Sequence, residues 1–195
     1  MNLEELILAL HEQSREENIP SVKESTGNFL TFLVTLTRSK RILEIGTAHG
    51  LSTLYLAKGL SCNGGGEILT MDRSTPSFEA ATKNFDSLGL LEKENDCHVR
   101  ITQQFGNALE LLSNLEGTFD FIFVDAAKRE YGAFLKLLLP YTHAGTLCVF
   151  DDVIEFAEKM KDFLSEISAG SWSWTVVPTD VDDGVLLLLP KLLSA

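Results

Sequence analysis

Short apolar runs alternate with longer amphipathic ones along most of this chain. RILEI (41–45), EILTM (67–71), VRITQ (99–103), FDFIFV (119–124), TLCVF (146–150), WTVVP (174–178) and VLLLL (185–189) are strand-length and mostly bounded by Gly, Asp or Asn. The middle runs lack strict alternation, the pattern of parallel strands covered on both faces. Between them, 51–60, 77–90, 128–140 and 153–167 carry apolar residues near helical spacing, and Pro140 stops the third of these. Two further helices are expected before the first strand, one with Leu3, Leu6, Ile7 and Leu10 in a stripe and one over 25–39. This alternation predicts an α/β fold with a mostly parallel, doubly wound sheet and helices on both faces. No repeat, low-complexity segment or linker interrupts it, so one domain over 1–195 is expected, with 1–40 as an N-terminal helical arm.

Composition narrows the class of partner. A chain of 195 residues is long enough for one real core, and its net charge of -12 opposes wholesale binding to nucleic acid or to an anionic membrane. The N-terminus lacks the basic region and cleavage site of a signal peptide, and no apolar run has membrane-spanning length. Cys62, Cys97 and Cys148 form no CxxC pair. Free thiols in a reducing cytoplasm, and no zinc site, are the expectation.

Three places carry candidate chemistry. In LEIGTAHGLS (43–52) a strand runs into a turn with Gly46 and Gly50, then into a helix, the arrangement that lets backbone approach a ligand at a helix N-terminus. Ala48 stands where a dinucleotide fingerprint has its middle glycine, and a tight βα turn is the plainer reading. Asp72 ends the second strand, where a carboxylate can accept bonds from both ribose hydroxyls; capping the next helix, near Pro76, is the competing role. FDFIFVDAAKREY (119–131) ends a strand on Asp125 and follows it with Lys128 and Tyr131.

The run LCVFDDV (147–153) ends another strand on two adjacent carboxylates, Asp151 and Asp152, which repel each other and lose hydration if enclosed. In the usual order for such a sheet the fourth and fifth strands are neighbours, so Asp125, Asp151 and Asp152 meet at adjacent strand tips. Three oxygen ligands of this kind suit a hard cation, Mg²⁺ first, with Mn²⁺ or Ca²⁺ as alternatives. His49, in the first turn, is expected to be a cleft wall.

Taken in order, these motifs resemble the class I, S-adenosylmethionine (SAM)-dependent, cation-dependent O-methyltransferases, the catechol and caffeoyl-CoA O-methyltransferase family and its bacterial branch. The resemblance runs from IPSVKESTGNFL (19–30) through RILEIGTAHGLST, MDRS, FGNALELL, FDFIFVDAAKREY and VFDDV to VDDGVLLLLPK. It implies a Rossmann-like, seven-stranded sheet of order 3-2-1-4-5-7-6 with the last strand antiparallel. By position, it implies that Val22, Glu44, Gly46, Thr47 and Ser52 line the methionine and sulfonium part of the SAM pocket. Asp72 would bind the ribose, Arg73 would lie beside the adenosine, and Asn107 and Ala108 would meet the adenine end. Asp125, Asp151 and Asp152 take the metal-ligand positions, with Asp125 also at the cofactor, and Lys128 takes the position of the general base.

Three departures accompany the match. Asp152 stands where the family usually has Asn, so D152N is expected to be tolerated and D151N to hurt. Asn107 stands in a segment that is commonly Gly-Asp-Ala. The loop after Asp152 is expected to pass almost directly into a helix, leaving a more open acceptor pocket. A small-molecule hydroxyl acceptor, catechol-like or otherwise phenolic, is expected, and a homodimer through the N-terminal helices. Two rival functions are a tRNA hydroxyuridine methyltransferase of the same family, served by a patch of Lys23, Arg38, Lys40 and Arg41, and a non-catalytic nucleotide- or cofactor-binding module.

Overall fold

The computed structural model describes residues 2–91, 98–170 and 172–190. Seven strands form one sheet in the order β3-β2-β1-β4-β5-β7-β6. They are β1 (Arg41–Ile45), β2 (Gly66–Asp72), β3 (Val99–Phe105), β4 (Phe121–Val124), β5 (Leu147–Phe150), β6 (Ser173–Pro178) and β7 (Gly184–Leu189). The first five pair in parallel, and β7 runs antiparallel to both β5 and β6. The expected order and the direction of the last strand are both present.

The continuous apolar runs have the reason expected of them. Along β4, Phe121 and Phe123 enter one core and Ile122 and Val124 the other; β5 divides Leu147 and Val149 from Cys148 and Phe150 in the same way. Alternation is absent from the sequence because each face meets an apolar layer. The first layer is built on α1 (Leu3–Glu17), α2 (Glu24–Leu36), α3 (Leu51–Cys62) and α4 (Thr75–Asp86). The second is built on the short α5 (Ala108–Leu111), α6 (Tyr131–Leu138) and α7 (Lys161–Ala169).

Helix ends follow local chemistry. Asn2 and Glu5 form a reciprocal capping box at the start of α1. Ser74 caps α4 ahead of Pro76, so that cap belongs to Ser74 and not to Asp72. The clearest departure lies in 153–167, expected as one helix. Residues 153–156 are turn, Ala157–Met160 is a 3-10 turn, and the α-helix starts only at Lys161. The cause is visible in the backbone. Val153 N–H bonds the Gly184 carbonyl, and Asp183 Oδ1 takes the N–H groups of Ile154 and Glu155 at 3.2 and 3.1 Å. These bonds hold the segment against the β6–β7 turn. Among the described residues, Cys62 and Cys148 are free thiols, and no helix is long and apolar enough to cross a membrane. Cys97 lies outside the described residues.

Candidate active site

The site lies at the carboxyl ends of β1, β2, β4 and β5, where open α/β sheets bind ligands. Its first part is the β1–α3 turn. Gly46 has φ +102°, and a Cβ there would stand 1.9 Å from the Asp125 carbonyl oxygen. Glycine is therefore required where the tips of β1 and β4 touch. The turn is held from beneath by Glu44. Its carboxylate accepts from Ser52 Oγ at 2.7 Å and Thr70 Oγ1 at 2.6 Å, and from Thr53 Oγ1 as well. Thr47 Oγ1 bonds Thr70 Oγ1 at 2.6 Å. Burial pushes the Glu44 carboxyl up to about 7 against the opposing pull of those hydroxyls. Glu44, Thr47 and Ser52, expected to line a pocket, are thus buried under its floor and brace the turn.

Above that floor is a cavity of about 170 Å³ lined by Gly46, Ala48, Asp72, Arg73, Asn107, Ala108 and Asp125 among others. Asp72 Oδ2 accepts from Ala48 N–H at 2.8 Å and Oδ1 from Ser74 N–H at 2.7 Å. Its carboxylate is therefore fixed facing the groove between β1 and β2. Asn107 caps α5 through its side-chain oxygen. Met71, Glu130 and Phe134 also line this cavity and were not picked out from the sequence. Of these, Glu130 carries a sequence signal, its place two residues after Lys128 in the FVDAAKREY run, and in the fold its carboxylate stands 3.7 Å from Arg73. His49, expected as a cleft wall, lines neither this cavity nor the next; its carbonyl accepts from Asn84.

A second cavity, of about 360 Å³, shares Ala48 and Asp125 with the first. Asp125, Asp151 and Asp152 all line it, so the three sequence-identified carboxylates do come together, and Val22 faces them from the arm. Lys128 enters the same group from the turn before α6. Lys128 Nζ bonds Asp125 Oδ1 and Asp152 Oδ2, both at 2.6 Å, and Tyr131 Oη at 3.0 Å. Among the described residues, the carboxylates whose oxygens gather within 4.8 Å of one another are Asp152, Glu155 and Asp183.

Burial alone would lower the pKa of Lys128, but Asp125, Tyr131 and Asp152 outweigh it and hold the ammonium well above its ordinary range. The base role expected of Lys128 requires the neutral amine, which Asp125 and Asp152 disfavour while both carboxylates are paired with it. Burial raises Asp151 well above the usual carboxylate range, with Asp125 and Asp152 adding to it. Burial, then a proton shared with Asp183, push Asp152 up to about 6. Asp152 is half-buried and turned to Lys128. Its φ is +59°, a conformation that Asn and Asp tolerate better than most side chains.

The donor set fits a divalent cation in kind. All three side chains are hard oxygen donors on one wall, and the gap between Asp125 and Asp152 already receives a positive charge. Of the basic residues considered for a nucleic-acid patch, Lys23 pairs with Asp180, Arg41 with Glu67 at 2.8 Å, and Lys40 Nζ with the carbonyls of Asn63 and Gly65. Lys40 and Arg41 also sit at the start of β1, opposite the site.

Comparison with known proteins agrees with this geometry. The O-methyltransferase family model matches residues 2–163. Catechol O-methyltransferase of Niastella koreensis is 33% identical over 77% of this chain and 67% of its own length. Caffeoyl-CoA O-methyltransferase 2 of Eucalyptus globulus is 34% identical over 70% of this chain, which spans 54% of that protein. A Mycobacterium tuberculosis catechol O-methyltransferase, 31% identical, is likewise spanned over only 57% of its length. Among solved structures, the O-methyltransferase TomG of Streptomyces achromogenes in complex with SAM superposes with a TM-score of 0.79 at 25% identity, covering 95% of this chain and 89% of that one. The O-methyltransferase of Bacillus cereus in complex with SAH gives 0.76 at 25% identity, covering 95% and 91%. With the sheet order, the glycine turn and the strand-end carboxylates all in place, the chain belongs to the O-methyltransferase family and is an enzyme of that family.

Proposed function

We propose that this enzyme transfers a methyl group from SAM to a hydroxyl oxygen of a catechol-like or other phenolic small molecule, with the help of a divalent cation. The observation that carries the reading is the pair of contiguous cavities sharing Ala48 and Asp125. One is walled by the ribose-type carboxylate Asp72 and the Gly46 turn, the other by Asp125, Asp151 and Asp152. The SAM- and SAH-bound neighbours support assigning the first cavity to the cofactor. The acceptor then enters the second, where Val22, Thr26 and Phe156 supply apolar and aromatic wall.

In the reaction the acceptor oxygen bonds to the methyl carbon as the carbon–sulfur bond breaks and its electron pair returns to sulfur. The hydroxyl proton leaves to water through the open cavity. A phenol has a pKa of about 10 and is mostly protonated at neutral pH, so groups that stabilise the oxyanion favour the transfer. Asp125, Asp151 and Asp152 would hold the cation, most simply Mg²⁺, with Mn²⁺ or Ca²⁺ as alternatives. When bound, it supplies positive charge that stabilises and orients the acceptor oxygen. Lys128 is a second positive charge on the same wall. We further propose a cytoplasmic homodimer, and the exposed Leu8, Phe32 and Leu36 of α1 and α2 support the dimer. Isotope-labelled SAM offered with catechol tests the function. Methylation that disappears with EDTA and with D125A is expected, whereas methylation that survives both would remove the cation from the mechanism.

A further inference from the structure

The hydroxyl of Tyr131 is sealed inside the molecule behind the carboxylate wall. Tyr131 opens α6 and is 0% exposed, with its ring packed on Phe150 and Phe163 at centroid distances of 5.5 and 5.6 Å. A phenylalanine ring would fill that apolar slot equally well, and a hydroxyl buried there is costly unless it is bonded. Tyr131 Oη meets Lys128 Nζ at 3.0 Å, the Asp151 carbonyl at 3.0 Å and the Val124 carbonyl at 3.1 Å. Its single proton goes to one carbonyl or the other, and the Val124 carbonyl already accepts from Asp151 N–H at 3.0 Å. Toward the Lys128 ammonium, which has only donors, the hydroxyl accepts.

An ammonium has three N–H donors to place. Asp125 Oδ1 and Asp152 Oδ2 take two, and Tyr131 Oη takes the third. The two carboxylates line the cavity and are open to whatever binds there, whereas Tyr131 does not line it. The third bond counts because Lys128 has another place to go. It also lines a separate cavity of about 430 Å³, together with Glu158, Asp162 and Glu166. Those carboxylates attract the ammonium away from Asp125 and Asp152, and the four-carbon stem is flexible enough to follow. Tyr131 opposes that swing from a ring held in place by its aromatic neighbours.

Resting on the reading of Asp125, Asp151 and Asp152 as the acceptor wall, we propose that Tyr131 is a positioning residue for methyl transfer. Its hydroxyl anchors the Lys128 ammonium between Asp125 and Asp152, and it acts on the reaction through that ammonium alone.

The test follows methyl transfer from SAM to catechol with Mg²⁺ in the native enzyme, Y131F, K128A and the double variant. Y131F keeps the ring and should bind SAH as the native enzyme does by calorimetry. Its kcat should fall about tenfold, the size expected for a lost hydrogen bond to a charged group, with KM for SAM unchanged. In the K128A background the same change should lower kcat by less than about twofold, because the group it acts through is gone. A merely structural role would lower kcat by the same factor with and without Lys128; that result, or an unchanged kcat in Y131F, overturns the proposal. A second readout needs no acceptor. In protein labelled with ¹⁵N-lysine, the ammonium resonance that K128A removes should be visible in the native enzyme and should exchange its protons with water faster in Y131F. Exchange unchanged in Y131F, or a native ammonium too mobile to observe, overturns the anchoring. Catechol left unmethylated by the native enzyme, with SAH bound and exchange faster in Y131F, overturns the acceptor reading and leaves the anchor standing.

Discussion

At the scale of single residues, the most consequential placement is Lys128. Its ammonium sits 2.6 Å from both Asp125 and Asp152, and its side chain is 12% exposed. In the proposed reaction a positive charge so placed would lower the energy of the acceptor oxyanion without accepting a proton. The geometry predicts that K128A lowers turnover far more than SAM affinity, and that K128R, which keeps the charge but cannot act as a base, retains more activity than K128A. Steady-state kinetics on the two variants decides the matter; equal loss in both would restore the base role. Asp152 makes a second case. At φ +59° it occupies a conformation open to Asn. D152N should therefore fold as the native chain does, leaving Lys128 with Asp125 and Tyr131, while D152A should unfold at lower denaturant for want of a side chain suited to that backbone. A urea titration showing equal midpoints for the two variants would refute this account.

At the scale of elements, the β1–α3 turn couples stability to the cofactor groove. Any side chain at Gly46 collides with the tip of β4, so G46A is expected to cost more than about 1 kcal/mol in unfolding and to weaken SAH binding in the same variant. Glu44 gives the element a pH signature. Its folded pKa of about 7 lies above the ordinary 4.5, so the stability it contributes is fully present below 4.5 and is lost as pH rises through about 7. E44Q, neutral throughout, should flatten the stability curve across that window; a curve of unchanged slope would show that Glu44 does not titrate there. The segment after β5 also shows where element reading from sequence stops. Its apolar residues have near-helical spacing, yet Asp183 and Gly184, some thirty positions on, capture the first N–H groups and delay the helix to Lys161.

At the scale of the molecule, strand order and layering were legible because each strand is buried on both faces and ends on a chemically marked residue. Asp72, Asp125 and Asp151 could be placed at one end of the sheet from topology alone. What was not legible depends on side-chain directions across separate elements. No spacing rule says that Lys128 turns back between Asp125 and Asp152, or that Glu44 points down to the threonines and not into the groove. The grouping of Glu155 and Asp183 with Asp152 was hidden for a similar reason. Glu155 follows β5 and Asp183 immediately precedes β7, and only the antiparallel pairing of those strands brings them together.

The most direct test of the central claim is transfer of an isotope-labelled methyl group from SAM to catechol by the purified protein in Mg²⁺, read by mass spectrometry of the product. The account predicts a singly O-methylated catechol whose formation stops with EDTA. Unlabelled catechol recovered intact, from a protein that calorimetry shows to be saturated with SAM, would contradict it.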